Sequence, residues 1–252
     1  MHPVSAARIG AKTAALPSPE ARPAAVVSEA SPASADAHES TSGEPATPRT
    51  SESARESRRG APQPAAAESV GGVNDIDPHK AFGSKSAPVV MEIFSDYQCP
   101  ACKTLFLTTN RQLMESYVST GKVFLIHRDF PLPMHAYSRV AARYARAAAE
   151  IGKIEPVEKS LFENQEKWEQ TGDVDGTVAA VLTSAEMSKV RALVKGGTLE
   201  PLIDKDYALG QMYRVNQTPT SVFHSKGHTY PYSGVMSYEI LRQFLDQLLS
   251  QK

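Results

Sequence analysis

Cysteine is nearly absent from this 252-residue chain: there are two, and no third. That scarcity excludes a multi-disulfide scaffold and zinc sites built from two CxxC pairs. His127 and His135 lie outside ordinary ligand spacing, so no metal is expected. Aromatic residues are missing until Phe82. Residues 1–72 consist largely of Ala, Pro, Ser and Glu, with Ile9 and Leu16 the only large aliphatics apart from a few valines. Such a segment buries too little apolar surface to offset its ordering entropy. This predicts a disordered tail over 1–72 and a folded domain over 73–252. An excess of either charge is missing too: 27 Lys and Arg face 28 Asp and Glu. That balance gives no electrostatic case for nucleic acid or an anionic membrane. No apolar run is long enough to cross a bilayer. The first residues, Ala-rich and broken by Pro17, Pro19 and Pro23, do not read as a signal peptide.

What is present is a close pair, Cys99-Pro100-Ala101-Cys102. It follows an apolar run, 88–94, that reads as a buried strand, and precedes a segment, 103–120, that reads as a helix. A thiol at such a junction meets the positive end of the helix dipole and free backbone N–H groups. Both favour the thiolate, the species that attacks disulfides. A disulfide closing a four-residue ring gains little loop-closure entropy, so it would be a poor structural staple. The pair therefore points to thiol–disulfide chemistry, with the Cys99–Cys102 disulfide as the redox group and no other cofactor.

The rest of the domain reads as alternating elements. Cys102, Phe106, Thr109, Leu113 and Tyr117 fall on one helix face, with Gly121 as C-cap. A second strand is expected over 122–129, which makes a βαβ unit with parallel strands. A helical stretch follows over about 135–214. Its helices are expected at 138–151, 155–170, 174–182, after a capping box at Thr183-x-x-Glu186, and at 200–213. Strands at 220–224 and 228–232 flank Ser225-Lys226-Gly227, and Ser237 caps a last helix. The class is α/β. Two short matches are set aside. His127-Arg128-Asp129 resembles a kinase catalytic loop without its companions, and Asn216-Gln217-Thr218 is a sequon that arises often by chance. His127 is expected to be a satisfied strand residue, and Trp168 a core residue.

The order βαβ, helical insertion, ββα, with CxxC opening the first helix, resembles the thioredoxin-like fold. The insertion makes the chain similar to the DsbA family of thiol–disulfide oxidoreductases. The likeness is carried by 94–102 (Phe94-Ser95-Asp96-Tyr97-Gln98 leading into the CxxC), by Arg128-Asp129-Phe130-Pro131-Leu132, and by Val215-Asn216-Gln217-Thr218-Pro219-Thr220. It implies an enzyme that exchanges its disulfide with cysteine-containing exported proteins outside the cytoplasm, in the periplasm or cell envelope. It implies recycling by a membrane quinone-linked partner. A reductase or isomerase of the same fold, or a binding or chaperone module without redox turnover, stays open.

Roles follow residue by residue. Cys99, at the helix start, is expected to attack, and Cys102, one turn in, to resolve the mixed disulfide. Pro100 suits a first turn, where its missing N–H costs nothing. Ala101 stands where strong oxidants of the family carry His, which implies a weaker oxidant. Thr218-Pro219 resembles the family's active-site loop, in which the proline is cis and a substrate peptide adds to the exposed backbone. Ile93 stands six residues before Cys99, where many thioredoxin-like enzymes carry a buried carboxylate. Glu92 should face the other way, which leaves Asp96 or a water near the site as proton carriers.

Overall fold

The computed structural model describes residues 76–251; the expected tail over 1–72 lies outside them. Five strands form one sheet in the order β1-β3-β2-β4-β5: β1 Ala81–Phe82, β2 Val89–Ser95, β3 Val123–Asp129, β4 Thr220–Ser225 and β5 His228–Ser233. β2 and β3 run parallel in unbroken register from Val89↔Val123 to Ser95↔Asp129, and the other pairs are antiparallel. β2 and β3 are almost wholly buried, as central strands covered on both faces must be. β1 was not legible in the sequence, because two residues are too short to show an alternation.

Between β2 and β3 the chain is helical over 100–118, starting at Pro100 and including two π-helical stretches, Phe106–Asn110 and Met114–Val118. The wider π turns change which residues face inward. Leu105 and Asn110 are buried beside the expected Cys102, Thr109, Leu113 and Tyr117, while Phe106 is only half-buried. This helix and Tyr238–Ser250 cover one face of the sheet, packing Leu105, Leu113, Leu241 and Leu245 on Met91, Leu125 and Phe223.

The insertion between β3 and β4 comprises Ser138–Glu150, Ile154–Glu163, Gln165–Thr171, Val174–Ala179, Ser184–Gly196 and Glu200–Met212. The helix expected over 155–170 is two. Asn164 breaks it, leaving the helical region at φ −100° and ψ 15° while its side-chain amide donates to the Ser160 carbonyl. The Thr183 capping box forms as read. Trp168 is fully buried in a core that the inserted helices share with Tyr97, Cys99 and Cys102. Helix Glu200–Met212 lies on Phe94 and Phe130 through Gly210, where a Cβ atom would come within 2.5 Å of the Phe130 ring.

Candidate active site

β2 ends at Ser95 and the chain turns through 96–98 into Cys99. Asp96 fixes the turn. Its carboxylate accepts from the backbone N–H of Gln98 and Leu132 at 2.7 Å each, from His135 Nδ1 at 2.7 Å and from Ser138 Oγ at 2.5 Å. Its own N–H lies 3.5 Å from Cys102 Sγ. Asp96 therefore positions the turn. With four donors on its carboxylate, it is not the proton carrier the sequence offered as one choice.

Cys99 takes the N-cap position at φ −77° and ψ 120°, and Pro100 is the first helical residue. Cys99 is 7% exposed and Cys102 1%, so solvent and reagents meet Cys99 first. The Cys99 thiol donates to the Thr218 carbonyl oxygen at 3.2 Å, and the Thr218–Pro219 peptide is cis. The structure thus brings Thr218 and Pro219, 119 residues on, against Cys99. Ala101 directs no polar group at either sulfur, although its backbone N–H supports Cys99.

The two thiols ionise very differently. Cys99 is lowered to about 6, chiefly by a hydrogen bond from the Cys102 thiol. Burial opposes this, and the backbone N–H groups of Cys102 and Ala101 assist it. The Thr218 carbonyl can bond only the protonated sulfur, so that one contact works the other way. Cys102 is pushed well above its ordinary value, first by burial and then by the neighbouring Cys99 sulfur. The thiols have opposite roles available: one is ready to attack near neutral pH, and the other must be relieved of a proton first.

The insertion holds this segment from the side. Gln165 Nε2 donates to the carbonyl oxygens of Tyr97 at 2.7 Å and Cys99 at 3.1 Å. Tyr97 Oη donates to Glu158 at 2.7 Å, and the Phe162 ring packs on Tyr97 and Phe106. Ile93 is buried beside Cys102, and Glu92 is buried on the opposite face, bonded by Arg128 at 2.6 Å and His224 at 2.9 Å. The strand has no bulge to turn Glu92 round. His127 departs from its expected satisfied state. Its Nδ1 lies 3.1 Å from Glu158, while its Nε2 is buried without a partner.

Below these lies a buried ionic cluster. Asp129 accepts from Lys80 at 2.5 Å and from Arg146 at 2.6 Å, and Arg146 also bonds Asp206 and, at 2.9 Å, Asp77. Sequence reasoning missed Glu158, Gln165 and Lys80. Glu158 meets Tyr97 from 61 residues away on a helix whose own pattern is an ordinary amphipathic one, so no local signal marks it.

A helix-borne dithiol facing a cis-proline loop, with helices inserted into a βαβ–ββα sheet, is the frame of one family. The sequence profile described as "Thioredoxin" matches residues 76–247. The chain belongs to the thioredoxin family. With its helical insertion its fold resembles that of alpha-DsbA1 from Wolbachia pipientis, which superposes with a TM-score of 0.56 at 17% identity, over 67% of this chain and 89% of that one. Disulfide bond formation protein D of Bacillus subtilis is 25% identical over 168 residues, covering 63% of this chain and 73% of that protein. A thioredoxin-like oxidoreductase from Silicibacter pomeroyi superposes with a TM-score of 0.59 at 24% identity, over 71% of this chain and 96% of that one. BdbD from Bacillus subtilis superposes with a TM-score of 0.57 at 21% identity, over 68% and 93%. No helix among the described residues is long and apolar enough to cross a membrane.

Proposed function

We propose that this DsbA-like protein donates its Cys99–Cys102 disulfide to cysteine-containing exported proteins. The observation that carries this reading is the asymmetry of the two thiols: Cys99 low and reachable, Cys102 high and enclosed. A substrate thiolate attacks Cys99 Sγ, the Cys99–Cys102 bond breaks, and Cys102 leaves as a thiolate that takes up a proton. A second substrate thiolate then attacks the mixed disulfide at the substrate's own sulfur. The substrate disulfide forms and Cys99 leaves as a thiolate. At pH 7, one unit above a pKa of about 6, that leaving thiolate outnumbers the thiol by about ten to one. A stabilised reduced form is what makes a disulfide an oxidant.

Thr218 and Pro219 form the face on which the substrate peptide lies beside Cys99. The B. subtilis relative is named for disulfide bond formation, which favours the donor direction. Recycling by a membrane quinone-linked partner and a site of action in the periplasm or cell envelope belong to the same reading. They rest on the likeness to the DsbA family. The redox pair itself is the only cofactor the scheme uses.

The test is trapping. Cys102→Ser should accumulate mixed disulfides through Cys99, and Cys99→Ser should accumulate none. Alkylation with a mass tag in cells should find the wild-type pair mostly oxidised. A pair found mostly as dithiol would assign a reductase or isomerase, and no exchange by either variant would leave a binding module.

A further inference from the structure

Cys102 changes its protonation in every exchange cycle, yet it sits 1% exposed and shares its cavity with Ile93, which cannot carry a proton. Some group must take the proton and pass it to solvent. Cys102 lines a small cavity, with about 20 Å³ free for the centre of a water molecule. A buried water needs about 10–15 Å³ and two to four polar partners. Two side-chain atoms of the cavity's lining residues are buried with no hydrogen-bond partner: His127 Nε2 and Asn110 Oδ1. With Cys102 Sγ they supply three polar partners for one water.

The other ionisable groups of the cavity are already committed. The Lys80 ammonium has no lone pair and lies 2.5 Å from Asp129. Asp129 is held as an anion by Lys80 and Arg146. Tyr97 gives its proton to a hydrogen bond with Glu158 and is pushed far above its ordinary range by burial. The Arg128 guanidinium cannot accept a proton. His127 differs from all of these. Its Nδ1 bonds the Glu158 carboxylate, at 3.1 and 3.2 Å to the two oxygens, so Nδ1 carries the hydrogen and Nε2 keeps a free lone pair. Glu158 is lowered in spite of its burial: its carboxylate accepts from His127 Nδ1 and Tyr97 Oη and faces Lys80, and it is placed to hold an imidazolium once His127 takes up a proton.

The same residues open outward. His127, Glu158, Asn110 and Phe106 also line a surface groove of about 610 Å³ between the 100–118 helix and Ile154–Glu163. Its rim carries the exposed charged side chains Arg111, Glu115, Glu155, Lys159 and Glu163.

We propose that His127, backed by Glu158, takes the Cys102 proton through one water in this cavity and releases it to the groove. When Cys102 attacks a mixed disulfide on Cys99, its S–H proton passes to the water and the water's proton to Nε2. The Cys102 thiolate forms the new S–S bond, and the partner sulfur leaves with the electron pair of the old one. In the donor direction the same proton returns to Cys102. The carboxylate that β2 lacks at Ile93 is thus replaced by an imidazole–carboxylate pair built from β3 and the insertion. The inference rests on the assignment of Cys99 as attacking and Cys102 as resolving thiol.

A coloured aromatic disulfide, bis(nitrobenzoate), separates the two steps in the reduced full-length protein. The first equivalent of nitrobenzoate thiolate reports attack by Cys99, and the second reports resolution by Cys102. His127→Gln keeps a donor toward Glu158 but removes the base. It should leave the first phase and its pH midpoint unchanged and slow the second by about a hundredfold or more at pH 7. The deficit should close as pH rises and hydroxide takes over. Asn110→Leu, which fills the water site and spares His127, should slow the same phase. It serves as the second test if His127→Gln does not fold. A second phase of wild-type rate and pH profile in a folded variant overturns the proton route and leaves the thiol assignment standing. A slowing equal at every pH also overturns it, since that is the mark of a structural defect. A wild-type first phase that does not depend on Cys99 overturns both.

Discussion

Gln165 donates its side-chain amide to the main-chain carbonyl of Cys99 at 3.1 Å, and to that of Tyr97 at 2.7 Å. The attacking thiol is therefore held by a residue of the insertion as well as by its own helix. Gln165, Tyr97 and Cys99 are all buried, so loss of the amide leaves both carbonyls short of a partner. Gln165→Leu should cost about 1–3 kcal/mol, the cost of leaving buried polar groups unpaired. Denaturant unfolding should show this as a lower midpoint with an unchanged slope. An unmoved midpoint would mean that the amide contributes nothing net to the Cys99 turn.

Ionisation of Cys99 should control the reduced protein's pH dependence. Alkylation of Cys99 should rise with a midpoint near pH 6. The folded pKa lies below the free-thiol value of about 8.5, so between the two the unfolded chain binds more protons. The reduced form should gain stability, relative to the oxidised form, as pH rises from about 6 to about 8.5. It should lose that gain as pH falls back through 6. Cys102, raised rather than lowered, stays protonated in the folded state; in the unfolded chain it begins to ionise near about 8.5, which trims the gain only at the top of this window. Thermal unfolding of both redox forms at pH 5 and pH 8 measures the difference. A reduced form equally favoured at both would contradict the lowered thiol.

Ala101 gives the thiolate a backbone N–H but no side-chain donor. Ala101→His adds a donor or cation one residue from Cys99 and should lower the thiol further, making the protein more oxidising. A tenfold shift in its equilibrium with glutathione corresponds to about 30 mV. The wild type should lie between about −270 mV and about −120 mV, the values of thioredoxin and DsbA. If the variant keeps both the wild-type pKa and the wild-type equilibrium, other groups set the poise.

Arg146 is buried among three carboxylates, Asp77, Asp129 and Asp206. Arg146→Met should destabilise the fold by about 3–5 kcal/mol, because it leaves anions buried and uncompensated. Burial already raises Asp206 despite its cationic neighbours, so Asp206 is the first to suffer. Adding Asp206→Asn should recover part of the loss. Equal unfolding energies for the single and double variants would make the effect one of packing alone.

The CxxC, its helix, the capping box at Thr183 and the four longer strands were legible because each is written in adjacent residues: an apolar run, a proline at a first turn, a Thr three before its partner. The helix break at Asn164 and the two π-helical stretches were not, since both depend on side chains packed from elsewhere. The second half of the site was hidden for the same reason. Tyr97, Glu158, Gln165 and His127 meet only after the insertion folds back onto the sheet. The missing carboxylate at Ile93 was visible as an absence, but the residues able to replace it were not. Thr218 and Pro219 lay between these extremes, recognisable as a loop and joined to Cys99 only in three dimensions.

The ends of the sheet carry a consequence of their own. On one side it closes with a strand of two residues, Ala81–Phe82, and on the other with His228–Ser233, whose middle holds Pro231. A stub offers a passing chain almost no backbone to pair with, and a proline removes a donor from the other rim. A protein whose proposed clients are chains not yet folded works among loose strands that seek partners. Blunt rims let it meet such chains at the sulfur without being drawn into their aggregates.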